Sequence, residues 1–153
     1  MHAVALRRLF TLVTSLLLVV VLAVPAGAAI RFDRIRYDAP GKDTGSNAHL
    51  NKEFVVLTNT GDAPRKLGGW RVRDRAGFVY RIPQDFRLKP GRVVRIHTGK
   101  GTDDGNDLYW GRGWYVWNND KDRATLKNAA AKVIDRCAYD DGSKKENVRS
   151  TRC

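Results

Sequence analysis

The stretch L-G-G-W-R-V-R-D-R-A-G-F-V-Y-R-I-P, residues 67–83, decides how the chain folds. Trp70 and Val72 alternate with Arg71 and Arg73, so an extended strand sends the apolar pair to one face and the cations to the other. The three residues Arg75-Ala76-Gly77 fit a type I turn ending in a left-handed glycine, followed by a second strand. That loop length pairs Val72 with Tyr80 and Trp70 with Ile82 on the apolar face. It sets Arg71 against Arg81 and Arg73 against Val79 on the polar one. A two-residue loop would oppose Arg73 to Phe78 and mix the faces, so the hydrophobic pattern selects the longer turn. The reading is a β-hairpin, and its two opposed arginines lower stability unless an anion lies near.

Working outward, short apolar or alternating runs recur between clusters of Gly, Pro, Asn and Asp. Ile30–Tyr37 reads as a first strand, with a long polar connection at 39–51. E-F-V-V-L-T (53–58) is apolar on both faces, as an interior strand is. R-V-V-R-I-H-T (92–98) points Val94 and Ile96 inward and Arg95 and His97 outward, and residues 108–120 are aromatic and turn-rich. The segment 124–139 has helical propensity from Ala and Lys. Val133-Ile134 and Cys137–Tyr139 suit strands better, which favours a hairpin turning at 128–131. About eight short strands at regular spacing predict an all-β sandwich.

Residues 1–28 read as a cleaved secretory signal: a basic start, an apolar run from Leu9 to Val24, and Ala26-Gly27-Ala28 as the small-residue exit. A secreted protein with one domain at 29–139 and a polar tail at 140–153 is expected. In an oxidising compartment Cys137 and Cys153 are expected to pair and tie the tail back, contributing about 3 kcal/mol by loop entropy.

The sequence carries 28 Lys and Arg against 16 Asp and Glu, a formal charge of +12. Without Arg7 and Arg8 the balance is about +10, which suits anionic partners such as nucleic acid or a wall polymer, and equally serves solubility. The anion-binding candidates are Arg71, Arg73, Arg81 and Arg95, with Trp110, Trp114 and Trp117 either stacking bases or packing in the core or the loops. Catalytic constellations are lacking. His49 and His97 stand apart from any nucleophile-elbow serine or zinc spacing. Asp103, Asp104, Asn106 and Asp107 surround Gly105 without the spacing of an EF-hand, which favours a solvated acidic turn over a calcium loop. Glu53 with Asp62 or Asp74 offers no distinguishing carboxylate pair. No enzyme activity, cofactor, metal or small-molecule substrate is expected.

Four stretches taken together, 51–62, 67–83, 88–104 and 117–135, resemble the lamin-tail domain, including its bacterial secreted members. The shared series is GW-x-x-x-D-x-x-G, L-x-PG, TG-x-G and WNN-x-x-D-x-A-x-L. The resemblance implies an immunoglobulin-like β-sandwich without catalytic activity, used for binding. It gives Trp70 the space between the sheets, Gly77 the hairpin turn, and Asn59, Asn118 and Asp122 the hydrogen bonding of loop backbone. Two departures stand out: Lys121-Asp122 where Gly-Asp is usual, and Ala130-Ala131 where the last hairpin usually has a Gly. A structural or protein–protein module of the cell envelope, with an incidental basic surface, is the competing expectation.

Overall fold

The first strand carries an irregularity that its apolar pattern explains. β1 (Ile30–Arg36) buries Ile30 and Phe32, then Ile35, with Tyr37 beyond its end, so the inward set changes phase between residues 32 and 35. A bulge between Phe32 and Arg34 absorbs the extra residue and keeps both halves facing inward. This computed structural model describes residues 29–140 and 149–153. The expected leader at 1–28 lies outside the described residues.

The connection after β1 contains one turn of helix, α1 (Asn47–Leu50), N-capped by Ser46, whose side chain accepts from His49 N–H. β2 (Phe54–Asn59) follows, with Val55 and Leu57 fully buried. A two-residue ribbon pairs β3 (Arg65–Lys66) with β6 (Arg87–Leu88). Between them the hairpin of β4 (Arg71–Arg73) and β5 (Val79–Arg81) has the register its loop length requires: Arg71 opposite Arg81, Val72 opposite Tyr80, Arg73 opposite Val79. Next come β7 (Val93–His97) and β8 (Asp107–Tyr109), which lies parallel to β7. The hairpin of β9 (Lys121–Lys127) and β10 (Val133–Asp140) settles the 124–139 segment as strands. β11 (Ser150–Arg152) ends the chain.

These strands form two layers, β11-β1-β2-β7-β8 and β10-β9-β4-β5. The core between them draws Phe32, Val55, Leu57 and Ile96 from one sheet and Val72, Tyr80, Leu126 and Tyr139 from the other. Tyr37 and Tyr139 stack across it with ring centroids 3.9 Å apart. The fold is an all-β, immunoglobulin-like sandwich. Residues 150–152 take part in it, since β11 pairs with β1. Cys137 and Cys153 are bonded, their Cα atoms 5.5 Å apart.

Of the tryptophans expected in the core, Trp117 is there and Trp70 is not. Trp117 is 1 % exposed, whereas Trp70 is half-buried and packs against the core from its margin. The reason lies at Glu53, a carboxylate with no exposed surface. Its Oε1 accepts from Thr98 Oγ1 (2.5 Å), Val116 N–H (2.8 Å) and Trp117 N–H (3.4 Å). This clamp draws an otherwise irregular segment inward and seats the Trp117 ring. Burial pushes the Glu53 carboxyl up from 4.5 to about 7, against the lowering effect of its three donors. Its other oxygen is buried without a partner.

Candidate anion-binding face

The outer face of the four-stranded sheet is built by a pairing that alternation within a hairpin does not reveal. β4 sits between β5 and β9, so Arg71 has Arg81 on one side and Lys127 on the other. One step along, Arg73 lies between Val79 and Thr125, and Thr125 is opposite Arg136. Further out, Arg123 faces Ala138 and Lys121 faces Asp140. Lateral neighbours in such a sheet are about 5 Å apart and successive same-face residues about 7 Å. The result is a two-dimensional array of cations: Arg71, Arg73, Arg81, Lys121, Arg123, Lys127 and Arg136, with Asp140 as its acid.

Local chemistry holds the array in place. Gly77 turns the hairpin with φ +108°, and a Cβ there would stand 3.3 Å from Arg73 Nη2. Asp74, 2 % exposed, braces the same turn, its Oδ1 accepting from Gly77 and Phe78 N–H (both 2.6 Å). Burial raises its carboxyl, with Asp122 adding to the effect against those donors. Asp122 accepts from Arg75 and Arg123 N–H through Oδ1 and from Asn118 N–H through Oδ2. That ties the hairpin turn to the start of β9. Arg75, Lys121 and Arg123 consequently line one depression of about 510 Å³ at the end of the array.

Among the described residues, the ion pair is Arg95 with Asp107, which also meets His97 Nε2 at 2.8 Å, and neither contact lies on this face. Arg71 Nε is buried without a partner. The array therefore carries uncompensated positive charge, an arrangement that attracts polyanions and repels itself.

Of the four arginines expected to act together, Arg71, Arg73 and Arg81 do share this face. Arg95 does not: it projects from β7 in the other sheet and pairs with Asp107 at 3.7 Å. Outward alternation says that a side chain leaves the core, not which of two outer faces it joins. Lys121, Arg123, Lys127 and Arg136 were missed because β9 joins β4 only through long-range pairing and β10 joins the face only through β9. Their alternation with Asp122, Ala124 and Leu126 was a readable signal that this strand has one wet, basic face.

Other expected roles sort as follows. Asn59 hydrogen-bonds the carbonyls of Ala63 and Leu88 and accepts from Gly61 N–H, as read. Asn118 works through its backbone instead: its N–H meets Asp122, and its carbonyl accepts from Tyr139 Oη, while its side chain is exposed. His97, expected to face solvent, is largely covered, with Nδ1 2.7 Å from the Asn51 carbonyl, Nε2 2.8 Å from Asp107, and Tyr109 stacked on the ring. Trp110 is half-buried against the core and Trp114 is exposed. The 103–107 carboxylates serve loop geometry: Asp103 accepts from Tyr109 N–H, Asp104 from Asn106 and Asp107 N–H. Among the described residues no cluster of three or more His, Cys, Asp or Glu is placed to hold a metal.

Comparison with known proteins agrees with this architecture. A 63-residue stretch is 33 % identical to the muscle cell intermediate filament protein OV71 of Onchocerca volvulus, covering 38 % of this chain. The chain spans about 15 % of that relative's length. The family described as Lamin Tail Domain matches residues 23–141, a match that points to a non-enzymatic structural and interaction domain. On that match, which takes in every described strand except β11, this chain belongs to the lamin tail domain family.

Proposed function

We propose that this protein is a secreted, non-enzymatic lamin-tail module that binds an anionic polymer, nucleic acid or a wall polymer, across the outer face of the β10-β9-β4-β5 sheet. The observation behind this reading is the array of seven cations on four paired strands, none of them in an ion pair with a described residue. Binding of this kind is to the polymer's charged backbone. It is indifferent to sequence and weakens with salt at a log–log slope of about −0.9 per phosphate neutralised. The competing reading, an envelope structural or protein–protein module, draws support from the intermediate filament relative.

Fluorescence anisotropy of the purified protein with a labelled 20-mer DNA duplex separates the two. The expected result is binding at 20 mM NaCl that collapses by 300 mM, with a triple variant Arg71→Ser, Arg73→Ser, Arg81→Ser reducing the salt slope by about 3. No binding at 20 mM, or a folded triple variant with the wild-type slope, rejects the polymer reading.

A further inference from the structure

Beyond the basic face, one end of this positively charged molecule has the opposite sign. A groove of about 380 Å³ runs between the hairpin turn and the aromatic segment before β9, and among its lining residues are Asp43, Phe78, Trp114, Tyr115, Asn119 and Asp120. Among the described residues no Lys or Arg lines it. Three buried carboxylates, Glu53, Asp74 and Asp122, accept from the backbone N–H groups of its lining residues Val116, Trp117, Phe78 and Asn118, and the first two each keep one oxygen that meets no donor. Among the described residues none of these five carboxylates lies within ion-pair distance of a cation. Their combined field is felt within the fold. After burial itself, Asp122, Glu53, Asp120 and Asp74 push the Tyr139 hydroxyl up, and Asp43 does the same to Glu53.

The aromatic wall is placed rather than merely exposed. Trp114 is 61 % exposed, yet its ring lies flush on the backbone of Gly45, where a Cβ would come within 2.5 Å of the indole. Tyr115 meets it edge-on with centroids 5.4 Å apart, and the Tyr115 hydroxyl hydrogen-bonds His49 Nδ1. One indole face is thus fixed against the protein while the rest of the ring meets solvent. Phe78, across the groove, already carries a guanidinium: Arg112 sits 4.3 Å from its ring centroid.

A fixed indole beside carboxylates, across from a Phe78 ring that already holds one guanidinium, is the chemistry that recognises a cation through ring quadrupole and charge together. We infer that this groove is a binding site for an arginine side chain presented by a protein segment, with the guanidinium on the Trp114 ring and within reach of Asp43 and Asp120. Charge complementarity selects this occupant: the molecule's net +12 repels a basic peptide everywhere except where carboxylates prevail locally. The site is independent of the polymer face and stands or falls without it.

The test is a titration of the ¹⁵N-labelled protein at 150 mM NaCl with a blocked tetra-arginine peptide, and separately with a neutral chito-oligosaccharide. The peptide is expected to shift the Trp114 indole and the Phe78 and Asn119 amide signals saturably. The double variant Asp43→Asn, Asp120→Asn changes only exposed side chains and is expected to weaken that binding about tenfold. Trp114→Ala is expected to weaken it by a similar factor, read at the Phe78 and Asn119 amides. The inference is overturned by the absence of a saturable peptide response, by an unchanged response in the double variant, or by saturation with the oligosaccharide alone, which would make Trp114 a sugar platform.

Discussion

Replacing Glu53 by Gln should change how stability depends on pH more than it changes stability itself. Glu53 is buried, uses one oxygen for three donors and leaves the other without a partner. Its pKa rises from 4.5 in the unfolded chain to about 7 in the fold, chiefly through burial. Below pH 4.5 the group is protonated in both states, and the full favourable contribution of the neutral acid is present. As pH climbs towards 7 the unfolded chain releases the proton while the fold retains it, so the unfolding free energy falls. A rise of this size corresponds to about 3 kcal/mol lost across the window, with no further loss once the folded group ionises. Gln carries no proton to exchange, so the difference between wild type and Glu53→Gln isolates this term. Other titrating groups, Asp74 among them, are present in both proteins and cancel. Urea unfolding at pH 4.5, 5.5, 6.5 and 7.5 provides the measurement, with Trp117 as a buried reporter attached to the same clamp. The wild type should lose about 3 kcal/mol relative to the variant over that range. A difference that stays level within about 0.5 kcal/mol, or grows in favour of the wild type, refutes the argument from burial. Thr98→Val removes a donor that favours the charged form, and it should carry the window to higher pH.

Two further stability outcomes follow from the described geometry. Trp117→Ala should cost about 3–5 kcal/mol in urea unfolding, and Trp70→Ala distinctly less, since only the first empties a site inside the core; equal losses would contradict the assignment. Ala131 holds φ +64° in the β9–β10 turn, which a Cβ disfavours by about 1–2 kcal/mol, partly offset by the added freedom of glycine in the unfolded chain. Ala131→Gly should therefore stabilise by about 0.5–1 kcal/mol, seen as a melting temperature a few degrees higher, and a lower melting temperature would count against it.

What could be read in advance divides along physical lines. The β4–β5 register was legible because a three-residue loop and strict alternation leave one arrangement that keeps Val72 and Tyr80 inside. The partner on the other flank of β4 was not, since Arg71 meets Lys127 through a pairing that local sequence does not encode. The same gap explains Arg95, which has the right alternation and sits on the wrong sheet. The parallel pairing of β8 with β7 and the single turn of α1 are too short to leave a period. Trp70 and Trp117 could not be ranked from composition, because a buried carboxylate 64 residues away in the chain decides which indole is drawn in. Even β1 held a readable clue in the shift from Ile30 and Phe32 to Ile35 and Tyr37, which a single regular strand cannot satisfy.

That shift makes β1 adjustable in length at one place. Ile35 pairs with Val55 and Phe32 with Leu57, while Arg34 alone stands between them opposite Val56. Asp33 is the surplus residue, its side chain exposed. A chain shortened by one residue there would run as a regular strand with both apolar halves still facing inward. It would give up the carbonyl that accepts from Cys153 N–H, and with it one attachment of β11. Losses elsewhere in the strand would turn its apolar residues towards water, so tolerance of deletion in β1 is confined to the bulge.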